Sequence, residues 1–178
     1  QRVPCMGMFT VRQSPSDTQP MDLKIQRVLF VIAEIAAIWM LCIRPDTVGN
    51  DLYGHKAYLQ YIQKHPWEPL SYVGSESWHP PTYYYLVAFG ATLGQLLGLG
   101  DLQGGRVVSA ALYLIFIHFG FLTLRLFLAG WTLVASSALL IMWPSNLELA
   151  TRLNSDAAIF ATYAATQYYA ARASAWSI

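Results

Sequence analysis

Apolar residues in this chain gather in long blocks separated by polar stretches, rather than alternating as half-buried strands would. The first block, residues 28–43, reads "VLFVIAEIAAIWMLCI". It is short for a hydrocarbon core of about 30 Å, but Lys24, Arg27 and Arg44 flank it and can snorkel. Residues 107–124 and 131–147 form two further blocks, the latter with Pro144 near its exit. Residues 157–171, "AAIFATYAATQYYAA", form a fourth, rich in the small residues that let membrane helices approach closely. The blocks predict transmembrane helices near 27–44, 106–126, 130–148 and 156–172.

The polar stretches carry their own pattern. Residues 1–26 form a polar N-terminal arm with Pro, Ser, Asp and Gln and no sustained period. A polar stretch before the first apolar block, with no small-residue cleavage site after it, does not match a signal peptide. In "DLYGHKAYLQYIQKH" the residues Tyr58, Leu59, Tyr61 and Ile62 share one helical arc, and Lys56, Gln60, Gln63 and Lys64 the opposite one. That predicts an amphipathic helix lying at the membrane interface, N-capped by Asn50 or Asp51. The next segment, "SESWHPPTYYYL", sets two prolines before three tyrosines. His79 and Pro80 each precede a proline and so avoid helical geometry, and Pro81 can open the next helix at no hydrogen-bond cost. Residues 83–99 then form either a span or a second interfacial helix.

Composition agrees with a membrane protein. The chain of 178 residues is 55% hydrophobic and 12% charged, against about 25% charged in soluble domains, and its mean hydropathy is +0.36. A net charge of +1 offers no basic field for nucleic acid. There is no P-loop and no GxGxxG. Cys5 and Cys42 make neither a metal framework nor an expected bridge, and Cys42 is read as a small apolar packing residue. Glu34 lies mid-block, where a carboxylate is costly, so it should face protein or water. A start at Gln1 and an end straight after an apolar stretch predict a piece of a longer protein or processed ends.

Polar chemistry concentrates in the loop 44–105, which carries Asp46, Asp51, His55, Glu76 and His79. Asp51 and His55 are four apart and share a helical face. A histidine and a carboxylate at that spacing can bind a divalent cation, though two ligands do not complete a site. By the distribution of Arg12, Lys24 and Arg27 the N-terminus is cytoplasmic, and the 44–82 loop faces outside.

Three stretches together resemble the N-terminal part of the GT-C glycosyltransferases, near the protein O-mannosyltransferase and aminoarabinose transferase branch. They are "NDLYGHKAYLQYI", "HPPTYYYLVAFGATLGQLLGLGDLQGGRVVSAALYLIF" and "TRLNSDAAIFATYAATQYYAA". The resemblance covers residues 27–172 and rests on the order of four signals: an acid after the first span, HPP with aromatics, GGR before a span, and N-x-D before another. It implies a 27–178 transmembrane module in a bacterial inner membrane, using a polyprenyl-phosphate sugar. It implies Asp51 as catalytic base and Asp156 as a second acid, with His55, His79 and Arg152 binding substrate and a divalent cation as candidate cofactor. The commonest form of the first motif is an Asp-Glu pair, whereas Leu52 follows Asp51 here, so Asp46 stays a competitor. Two acids share one site only if they face one side, which requires 83–99 to lie along the surface and leaves four spans. A second expectation, from another class, is a non-catalytic membrane subunit packed in a larger complex. No broken-helix repeat supports a transporter.

Overall fold

The structure, a computed structural model, describes residues 20–43 and 51–176. Asp46, Arg44, Asn50 and Cys5 lie outside these. Seven α-helices follow in order: α1 Pro20–Ile43, α2 Leu52–Lys64, α3 Pro81–Leu96, α4 Asp101–Phe127, α5 Gly130–Met142, α6 Pro144–Leu149 and α7 Asp156–Trp176. A single 3₁₀ turn, Pro69–Ser71, sits between α2 and α3. No strand occurs among the described residues, so the all-helical expectation holds.

Among the described residues, two helices are long and apolar enough to cross a membrane: Leu23–Ile43 and Leu102–Phe127. Less than a third of either is buried, unlike the mostly buried core helix of a soluble protein. The expected first and third pieces differ in detail. α1 begins at Pro20, inside the stretch assigned to the polar arm. The expected 130–148 helix divides into α5, of 13 residues, and α6. Pro144 causes the division: Trp143 before it takes an extended backbone, φ −62° and ψ 121°, as pre-proline residues prefer. α5 is apolar but short of a full span, and α7 is longer but less apolar.

α4 is the central pillar. It packs most extensively against α7 and α3, and next against α1 and α5. Small residues make the close approaches. Ala33 and Ala37 of α1 meet Tyr113, Ile117 and Phe121 of α4, while Ala157, Ala161 and Ala164 of α7 are buried. Where lipid is as apolar as the side chains, such packing supplies the association energy. Cys42, expected inside, is exposed on α1 instead. Glu34 is half-buried, beside buried Ala33.

α3 and α4 meet through glycines. A Cβ on Gly94 would lie 2.8 Å from the Gly104 Cα, and one on Gly104 would strike the Gly90 carbonyl. Gly105 faces Val87, and the Tyr83 hydroxyl bonds the Ser109 hydroxyl at 2.9 Å. These contacts advance along α4 as they recede along α3. The two helices therefore form an antiparallel hairpin, joined at Gly98 with φ +76°, a conformation that favours glycine. α3 is inclined along α4 rather than lying square across its end.

Candidate functional site

The amphipathic pattern of α2 places its buried face as the sequence predicts. His55, Tyr58, Leu59 and Ile62 are buried, while Lys56, Gln60, Gln63 and Lys64 are exposed. Tyr58, Leu59 and Ile62 pack with Tyr83, Tyr84 and Val87 of α3 and with Leu153. This aromatic floor fixes His55 one turn into α2. Gly54 beside it leaves room for a neighbour, since a Cβ there would meet the Glu76 side chain at 2.6–2.7 Å.

Glu76 and His79 come from the turn before Pro80, where the His79 amide donates to the Glu76 carbonyl at 3.1 Å. The turn folds both side chains inward. His79 Nε2 lies 2.7 Å from Glu76 Oε2, and His55 Nδ1 lies 3.8 Å from the same oxygen. All three residues are buried, and one ligand atom from each lies within 4.8 Å of the others. Trp78 stacks on the His79 ring at 3.6 Å between centroids.

Two hydroxyls complete the arrangement. The Tyr84 hydroxyl is 2.6 Å from His55 Nδ1, and the Ser155 hydroxyl is 2.7 Å from His79 Nδ1. Burial lowers the His55 pKa below its ordinary 6.5, against the opposing pull of Glu76. Burial likewise pushes the Tyr84 phenol upward. Burial thus favours a protonated Tyr84 and a neutral His55, which share a short hydrogen bond at Nδ1.

The expected acids stand around this cluster. Asp51 occupies the N-cap position of α2, exposed, with no side-chain bond to the helix. The capping expectation holds for position and not for the bond. Asp156 opens α7, half-buried, accepting from the Asn154 amide at 3.0 Å. The Asp51 carbonyl accepts from the His55 amide at 3.1 Å, and Asp156 directly follows Ser155, the partner of His79. The Arg152 guanidinium pairs with Glu148 at 3.1 Å, half-exposed.

Sequence reasoning placed His55 and His79 among the candidates but left Glu76 a bystander and passed over Tyr84 and Ser155. Glu76 was findable, because it stands three residues before His79 with a proline turn following. Ser155 was not, being 76 positions from its partner. Buried Arg106 was passed over too. Its Nε donates to the Thr151 carbonyl at 2.8 Å and its Nη1 to Gln103 at 3.0 Å, tying the segment before Ser155 to α4.

No family model, no curated protein and no solved structure matches this chain.

Proposed function

We propose that the chain is the site-bearing module of a membrane glycosyltransferase of the GT-C kind, which transfers a sugar from a polyprenyl phosphate to an acceptor hydroxyl. In this proposal α1, α4, α5 and α7 cross a bacterial inner membrane, the N-terminus is cytoplasmic, and α2, α3 and α6 lie toward the outer face. The observation that carries it is the position of the two acids beside the buried His55–Glu76–His79 cluster: Asp51 caps α2 one turn before His55, and Asp156 follows Ser155, whose hydroxyl lies 2.7 Å from His79 Nδ1. The order of sequence signals shared with that family adds to it.

The chemistry follows from the positions. Asp51 is exposed at its helix terminus with no side-chain cap bond, so its carboxylate can accept the acceptor's hydroxyl proton. The acceptor oxygen then bonds the anomeric carbon from the side opposite the phosphate. The carbon–oxygen bond to phosphate breaks, and its electron pair leaves on the lipid phosphate. Arg152, half-exposed in the segment leading to Asp156, supplies a cation for that departing charge. Asp156, oriented by Asn154, positions the sugar. Asp51→Asn keeps size and hydrogen bonding but removes the base. Transfer assayed in membranes with a polyprenyl-phosphate sugar should fall about 10²–10⁴-fold. Undiminished transfer would end the role assigned to Asp51.

A second reading has its own observation. α5 and α7 flank a lateral groove over α4, about 460 Å³ in volume, lined by Phe116, Gly120, Leu139, Phe160 and Tyr163 among others. Phe160, Tyr163 and Tyr169 are well exposed beside it. A non-catalytic subunit of a larger membrane complex would bury such an aromatic face against a partner helix. Then Asp51→Asn would be silent. Alanine at Phe160 and Tyr163 together would release the chain from a complex with which it otherwise copurifies stoichiometrically.

A further inference from the structure

We propose that His55, Glu76 and His79 form a zinc site that clasps α2 to the turn before α3. The proposal stands on the cluster's own geometry and goes beyond the sugar-transfer reading.

The first argument is a count of protons. Three candidate ligands converge, with one donor atom each of His55, Glu76 and His79 within 4.8 Å of the others, and Glu76 Oε2 is the oxygen nearest both imidazoles. Glu76 Oε2 and His79 Nε2 are 2.7 Å apart. Two lone pairs that close in a buried setting repel unless a positive centre lies between them. One proton can serve that pair, and the Tyr84 hydroxyl, 2.6 Å from His55 Nδ1, turns aside when that nitrogen binds an ion. One divalent cation serves all three.

The second argument is the identity of the donors. Two imidazoles and one carboxylate suit zinc, whereas magnesium and calcium prefer oxygen ligands throughout. Tetrahedral zinc with bonds near 2.0 Å needs donors ~3.3 Å apart. The Glu76–His55 separation of 3.8 Å calls for only a small contraction. Glu76 and His79 are adjacent already, and would part slightly to admit the ion.

The third argument lies behind the ligands. Metal-bound histidines usually hand their second nitrogen to a fixed hydrogen-bond partner. His79 has one in Ser155, buried at the start of α7 and 2.7 Å from Nδ1. With Nδ1–H given to Ser155, Nε2 turns its lone pair to the cluster. Tyr84 stands beside His55 Nδ1. Gly54 keeps the space that Glu76 fills. Outside the cluster, Trp78 and the tyrosine floor exclude water from two sides.

The test uses the full chain purified in detergent and stripped with chelator. Titration with Co²⁺ should give the intense visible absorption of a tetrahedral site at one ion per chain, and Zn²⁺ should abolish it while excess Mg²⁺ does not. His79→Ala and Glu76→Gln should each lose the signal. Ser155→Ala, which removes only the partner behind His79, should weaken Zn²⁺ binding about 10–100-fold. Glu68→Gln, an exposed carboxylate of the same loop, should change nothing. Wild-type protein that takes up no stoichiometric Co²⁺ would overturn the proposal. So would binding that survives both His79→Ala and Glu76→Gln, or that prefers Mg²⁺. Should His79→Ala fail to fold, Ser155→Ala decides: full affinity in that variant counts against the site.

Discussion

His55 is the residue at which burial and charge compete most directly. Burial holds its pKa below 6.5, Glu76, Asp51 and Asp156 pull it up, and neighbouring His79 pushes it down. The sign of the pH effect follows. Above pH 6.5 the histidine is neutral folded or unfolded and contributes no dependence. Below it the unfolded chain takes a proton that the folded chain resists, so stability falls as pH drops. Denaturation midpoints measured on either side of 6.5 should show that loss, and His55→Gln should flatten it. Gly54→Ala makes a complementary prediction. Alanine is better than glycine in a helix by about 1 kcal/mol, but the added Cβ would collide with the Glu76 side chain, and overpacking costs about 1–3 kcal/mol. A lowered thermal midpoint is expected, and a raised one would mean Glu76 is free to move. At this scale the chain revealed the two histidines that the structure brings together with Glu76. It hid Ser155 and Tyr84, because their partners are brought to them only by the packing of α7 and α3.

Among the elements, periodicity was enough for α2, whose buried arc the sequence drew correctly. It was enough also for the small-residue face of α7. It was not enough for α5 and α6, where hydrophobicity runs on through Trp143 although Pro144 breaks the helix. Nor did it reveal how α3 sits, because Gly90, Gly94 and Gly104 carry no side chain for a hydropathy pattern to register. Their role is close approach, and it is testable by contrast. A Cβ on Gly104 would meet the Gly90 carbonyl and lie 3.0 Å from the Ala91 Cα, whereas Gly100 has nothing within 4 Å of its Cβ position. Backbone cannot swing aside as a side chain can. Gly104→Ala should therefore destabilise the protein by about 1–3 kcal/mol, while Gly100→Ala stays within about 0.5 kcal/mol. Equal effects in thermal unfolding would show that the α3–α4 contact is looser than drawn.

For the whole molecule, the account depends on sidedness. α1 runs antiparallel to α4: Gln103 near the start of α4 donates to the Leu41 carbonyl near the end of α1, and Phe30 meets Phe121 further along. α7 runs with α4, as Phe160 meets Phe116 and Tyr168 meets Phe119. α2, the Glu76–His79 turn, α6 and the start of α7 thus gather at one end, and the α4–α5 turn around Ala129 lies at the other. Labelling of single cysteines in sealed membrane vesicles tests this most directly, with Cys5 and Cys42 replaced by serine. Lys56→Cys on α2 and Ser145→Cys on α6, both exposed, should react with an impermeant maleimide from one side of the membrane, and exposed Ala129→Cys only from the other. Labelling of Lys56→Cys and Ser145→Cys from opposite sides would contradict the account, for the site could then not be assembled from both.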